Sequence, residues 1–172
     1  MKRIGIARGA LTICALAATA ASADILSATD QCRGELVETT PSSDFTALEG
    51  GVVVRHEPTG LEWQRCPAPM EWTGSGCEGT AGVTGWRDAL QYADGESGWR
   101  LPNVKELGSI VERCRLGPAI NQQVFPDTPA SEFWSASPAA PGVAWIVNFD
   151  VGWDSSRAIN IDNQVRLVRG GH

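Results

Sequence analysis

The run Trp99-Arg100-Leu101-Pro102-Asn103-Val104-Lys105-Glu106-Leu107 constrains the local backbone more than any other stretch of the chain. Asn103 with Glu106 three residues later is a capping box: the Asn side chain accepts from first-turn amides while the Glu reaches back to the cap. Pro102 stiffens the approach to that cap. Val104, Leu107, Ile110 and Val111 then make one apolar face. This pattern predicts a helix from Asn103 to about Arg115, ended by Gly117-Pro118. Trp99 and Leu101 read as packing residues. Arg100, set between them, is expected to pair with a carboxylate as a structural clamp.

The amino terminus reads as a secretory leader over residues 1–23. Lys2, Arg3 and Arg8 precede an apolar stretch from Ala10 to Ala21, and Ala21-Ser22-Ala23 fits the small-x-small cleavage rule. The stretch is short of the roughly 20 apolar residues that a membrane-spanning helix needs. No second apolar span follows, so membrane insertion is not expected. A mature chain from Asp24 carries 11 basic and 20 acidic residues, a net charge of −9. Such a field repels nucleic acid and strongly anionic glycans, unless a local basic patch intervenes. Arg157, Arg166 and Arg169 are the local candidate.

Cys32, Cys66, Cys77 and Cys114 remain after the leader, which takes Cys14 with it. Four cysteines in an exported chain suggest two disulfides, with three pairings open. Cys66–Cys77 is favoured, because it would staple a loop containing Pro67, Pro69, Gly74 and Gly76. Cys32–Cys114 would then tie an N-terminal arm to the end of a helix. A metal site is not expected: no Cys-x-x-Cys spacing occurs, and the only histidines are His56 and His172. His56 reads as an edge or turn residue beside the Val52-Val53-Val54 run.

About 149 residues suit one domain, read as residues 50–172, preceded by an arm over 24–49. Val52–Arg55 and Leu61–Arg65 flank Glu57-Pro58-Thr59-Gly60 and read as a hairpin with Trp63 facing the core. Thr84 is placed to cap a first helix bearing Trp86, Ala89, Leu90 and Ala93, ended by Gly95 and Gly98. Glu132–Ser135, Val143–Phe149, Ala158–Ile161 and Gln164–Val168 read as strands. Trp134 and Trp145 are expected in the core. The order is that of an α+β fold.

The Trp99–Leu107 run, Thr59-Gly60-Leu61-Glu62-Trp63-Gln64, Pro118-Ala119-Ile120-Asn121, Phe133-Trp134-Ser135-Ala136-Ser137, Ala144–Phe149 and Val165–Gly171 occur in one order over roughly residues 50–171. Together they resemble the DUF1566 family, also called the Lcl C-terminal domain family. The resemblance implies a C-type-lectin-like fold with two helices and a mostly antiparallel, twisted β-sheet. It also implies surface binding rather than catalysis. In some relatives this tail is diversified by retroelements at exposed positions. The framework residues Trp145, Val147, Phe149, Gly152 and Val165–Arg169 match that pattern here.

The candidate ligand site is the polar tail: Asn148, Asp150, Trp153, Asp154, Ser155, Ser156, Asn160 and Asn163. An aromatic face beside carboxylates and amides suits a sugar, whose C–H face stacks and whose hydroxyls take paired hydrogen bonds. Trp153 is read as the anchor, in the polar loop 150–156 without a strand partner. The same Gly, Asp, Ser and Asn residues also serve any hairpin turn. The calcium motifs of sugar-binding C-type lectins are missing: neither Leu101-Pro102-Asn103 nor Trp153-Asp154-Ser155 fits them, so no metal and no cofactor are expected.

The leading functional expectation is an exported module, in the periplasm, at the cell surface or in the medium. It would act in adhesion by recognising a surface glycan or a protein, with oligomeric state left open. An envelope assembly protein without a small ligand is the alternative. An enzyme is not expected. Formylglycine-generating enzymes share a related fold but need free thiols, and no Ser-His-Asp or Cys-His constellation is visible.

Overall fold

Residues 32–171 are described by the computed structural model. The expected leader, Cys14, the start of the arm and His172 lie outside them. Short β-rich runs punctuated by glycine form most of the elements. They run in the order β1 (Phe45–Leu48), β2 (Val53–His56), β3 (Leu61–Gln64), β4 (Glu71–Trp72), β5 (Cys77–Glu78) and β6 (Val83–Thr84). Helices α1 (Trp86–Gly95) and α2 (Val104–Gly108) follow. The chain ends in β7 (Glu132–Ala140), β8 (Val143–Asn148), β9 (Trp153–Ala158), β10 (Asn163–Gln164) and β11 (Val168–Arg169).

The fold is α+β. Its described strands form three sheets rather than one, ordered β1-β2-β3-β11, β6-β10-β7-β8-β9 and β4-β5. All described pairings are antiparallel except β10 with β7. The five-stranded sheet is buried on both sides in its middle. Alternation along β8 sends Val147 into a core with Trp63, Leu107, Ile110, Phe125, Phe133 and Phe149. It sends Ala144 and Ile146 into a second core with Trp134, Leu167 and the Ala89 and Ala93 face of α1. Ile146 is fully buried.

The capping box is present, with Asn103 Oδ1 accepting from the amides of Lys105 and Glu106 at 2.9 Å and Glu106 accepting from the Asn103 amide at 2.8 Å. Yet α2 stops at Gly108 instead of continuing to Arg115. The Ser109 hydroxyl donates to the Glu106 carbonyl at 2.7 Å, and the Glu112 amide turns away to the Ala119 carbonyl. Ile110 and Val111 are still buried, so the apolar pattern was right about burial and wrong about helix. Thr84 does not cap α1. Gly85 holds the cap position, and Thr84 sits in β6, where its carbonyl accepts from Trp134 Nε1 at 2.8 Å.

His56 is not an edge residue, but it does open a turn: its carbonyl accepts from the amides of Thr59 and Gly60. It ends the interior strand β2, is 5% exposed, and stacks on Phe45 with centroids 4.7 Å apart. Burial pulls the imidazole below its ordinary pKa, against the opposing charges of Asp44 and Glu57.

Disulfides join Cys32 to Cys114 and Cys66 to Cys77. The first anchors an arm whose main contact is a buried carboxylate. Glu112 accepts from the amides of Thr39, Thr40 and Cys114 and from both threonine hydroxyls, at 2.8–3.1 Å. Burial alone would raise this carboxyl, but the converging donors outweigh it and hold the pKa below the ordinary value. Arg115 pairs with Glu38 at 2.7 Å beside it, and Asn121 Nδ2 donates to the Thr40 carbonyl.

Candidate functional site

Between α2 and the β8–β9 hairpin lies a groove of about 400 Å³. Its α2 wall is set by the capping box and by Arg100, which grips both Glu106 oxygens at 2.7 and 2.8 Å and the Gly170 carbonyl at 2.9 Å. The clamp expected for Arg100 is therefore the device that fixes the helix. Burial would raise the Glu106 carboxyl, yet the hydrogen bonds from Arg100 and from the Asn103 amide keep it below its usual range. Val104, Lys105, Gly108 and Ser109 face the groove from this wall, and Val111 and Arg113 continue it.

Trp145, Val147 and Asp154 form the opposite wall. Val147 and Asp154 are register partners across β8 and β9, so they share a sheet face. Trp145 is half-buried and lines the groove instead of filling the core. Gly152 closes the end of the groove: its φ is +77°, and a Cβ there would lie 3.1 Å from Val111 and 3.2 Å from Ala119. Only glycine combines that backbone with that approach. Its carbonyl accepts from Arg113 Nη1 at 3.4 Å, bridging the two walls.

Charge in this groove differs from that of the basic patch expected from Arg157, Arg166 and Arg169. Arg157 is bound by both oxygens of Glu132, Arg169 by Glu49 and Glu62, and Arg166 is fully buried against the Gln64 and Arg65 carbonyls and the Thr128 hydroxyl. The basic patch expected from these three arginines is thus neutralised or sealed. Lys105 and Arg113 are exposed and have no carboxylate within ion-pair distance among the described residues. They stand on the rim with Asp154 as the single acidic group of the lining.

The tail residues singled out from sequence do not converge. Trp153 is not in a partnerless loop. It opens β9 opposite Asn148 and is 72% exposed, on the sheet face away from the groove. Ser155 shares that face, while Asp154 and Ser156 share the other. Asn148 Oδ1 accepts from the Asp150 amide across the hairpin turn. Asn160 lines a separate shallow cavity with Asp162, Arg87 and Asp88 near the start of α1. Asn163 is buried in β10, opposite Thr84. Strand β9 covers 153–158, where sequence placed a loop, and a turn occupies most of the strand expected at 158–161.

Reasoning from sequence missed Lys105, Ser109, Arg113 and the groove-lining role of Trp145. The alternation of Trp145 with Val147 and Phe149 marks its face correctly, but that face runs out of the core into the groove. Among the described residues one group of metal-ligand types converges, Cys32, Glu112 and Cys114. Its sulfurs form a disulfide and its carboxylate is taken by amide and hydroxyl donors, so it does not fit an ion. No helix among the described residues is long and apolar enough to cross a membrane.

The Lcl C-terminal domain matches residues 52–169. No curated protein matches the chain.

Proposed function

Because the chain belongs to the Lcl C-terminal domain family, we propose that it is an exported, non-catalytic binding module of the cell envelope, C-type-lectin-like in fold, whose α2–β8–β9 groove takes a short carbohydrate segment. The observation that carries this reading is the half-buried Trp145 flanked by unpaired Lys105 and Arg113. A pyranose stacks its C–H face on an indole, and its hydroxyls bond to Ser109 and Asp154 at the rim. Two unpaired cations against one carboxylate favour a sugar bearing an acidic group over a neutral one. The net charge of the mature chain disfavours a long polyanion, so the ligand is a local acid, not a charged polymer.

Two disulfides are consistent with an exported chain. The four cysteines among the described residues are all spent in these bonds, which supports binding over thiol chemistry of the formylglycine-generating kind. The envelope-assembly reading draws its support from the exposed Trp153, which suits contact with protein.

A glycan array with neutral and uronate-bearing probes, run with calcium and with chelator, tests the reading. Binding by the wild type that is lost in Trp145→Ala, unchanged by chelator and weaker for neutral probes is the expected result. Absence of binding to every probe would sink the carbohydrate reading and shift weight to assembly.

A further inference from the structure

Strand β9 is the longest edge strand among the described residues, six residues at the end of the five-stranded sheet. Its register fixes which groups point outward. The Ile159 amide bonds to the Gly142 carbonyl and so brackets the Val143/Ala158 pair. Alternation then makes Asp154, Ser156 and Ala158 the non-hydrogen-bonded positions against β8, with their own amides turned away from the sheet. The Ala158 carbonyl is taken by the Ile161 amide and the Ser156 carbonyl by Arg157 Nη1, which still leaves the latter a lone pair. The amides of Asp154, Ser156 and Ala158 and the carbonyl of Asp154 are open to a partner strand.

We propose that this edge pairs antiparallel with β9 of a second copy of the chain, about a two-fold axis at Ser155. The side chains are self-complementary in that register. Asp154 exchanges backbone bonds with Ser156 of the second copy, so no like charges face each other. Trp153 falls opposite the second copy's Arg157, at a pair where side chains approach most closely. A guanidinium over an indole is attractive, and the two-fold supplies this contact twice. Glu132 already grips the Arg157 guanidinium, so its position is set before the strands meet. Trp153 is the most exposed tryptophan of the described chain, and this pairing covers it.

The two-fold stands perpendicular to the joined sheet. Both α2–β8–β9 grooves therefore open on the same side, and Trp153 and Arg157 lie on the other. The pairing leaves each groove free and makes the module bivalent toward a repeating ligand.

Sedimentation velocity over a concentration series tests the pairing, with the purified full chain beside Trp153→Arg and Ser155→Cys. The wild type should dimerise reversibly. Trp153→Arg sets two cations opposite each other at an exposed position and should weaken association by about tenfold or more. Ser155→Cys places two thiols across the axis at a Cα separation of about 4.5 Å, within disulfide range, and should give a covalent dimer under mild oxidation. A wild type that stays monomeric throughout the series overturns the proposal, and so does a Trp153→Arg variant that dimerises as well as the wild type.

Discussion

Glu112 and Arg113 are neighbours in sequence and face opposite surroundings. Glu112 is fully buried, and its oxygens are taken up by amides and hydroxyls of the arm and of Cys114. The Arg113 side chain is exposed on the groove, and its one described bond is a 3.4 Å contact to the Gly152 carbonyl. A single peptide unit separates a polar group used up by the fold from one still available to a ligand. Burying a charge is tolerable only when every lone pair is satisfied, so the arm seam is structural. The groove keeps its cations hydrated and unpaired, which costs the fold little and leaves them free to bind.

The largest test of this contrast removes the Cys32–Cys114 bond. Its loop spans 82 residues, and chain entropy predicts a loss of about 4.5 kcal/mol. Cys66–Cys77 spans 11 residues, and its loss should cost about 3 kcal/mol. Urea unfolding of the two double-serine variants should rank them in that order, and equal losses would mean that the arm adds no constraint.

Next in size is Glu112→Ala, which strands buried donors of the arm and should cost about 3 kcal/mol. Limited proteolysis should then cut within residues 32–41, a site protected in the wild type. An unchanged unfolding midpoint would show that the seam is ornamental to stability.

A smaller loss should accompany Trp145→Ala. Affinity for an acidic oligosaccharide should fall by at least about tenfold, roughly 1.4 kcal/mol, in isothermal titration. Binding that survives in this variant but fails in Trp153→Ala would move the site to the opposite face of the sheet.

Acid should weaken the His56 stack first, and then the two carboxylates, Glu112 of the seam and Glu106 of the groove wall. The folded pKa of His56 lies below its unfolded value, so its contribution is present above pH 6.5 and declines as pH falls below it. Glu112 and Glu106 are also lowered, so theirs is present above their unfolded pKa and is lost as pH falls through the folded one. Thermal unfolding at stepped pH should show a decline through the imidazole range and a steeper one in the carboxylate range. His56→Phe should remove the first and leave the second.

The smallest effect on stability belongs to Arg113→Ala, within about 0.5 kcal/mol because the side chain is exposed. Its ligand affinity should nonetheless fall for acidic probes and stay level for neutral ones.

Local chemistry was legible wherever a few adjacent residues decide the outcome. The Asn103–Glu106 cap, the Arg100 clamp, the first hairpin and the Trp63 and Trp134 cores all follow from short patterns. The length of α2 was not legible, because Glu112 leaves the helix to meet Thr39 and Thr40, some seventy positions away in sequence. The site was half legible. Composition picked out the tail, but strand pairing divides its residues between two faces, and a one-residue alternation separates Trp153 from Asp154. That Lys105 and Arg113 are unpaired depends on where every carboxylate ends up, which no local pattern contains.

Gly152 has a consequence for how this molecule can change over time. It presses the β8–β9 hairpin onto Val111 and Ala119, and its backbone and its space both exclude a side chain. The residues on either side, Val151 and Trp153, project into solvent. The hairpin is thus pinned by a position where a side chain would be strained and crowded, and flanked by positions whose side chains the fold leaves exposed. New chemistry can be written at 153–156 without re-solving the fold, so recognition can drift quickly on a scaffold that does not.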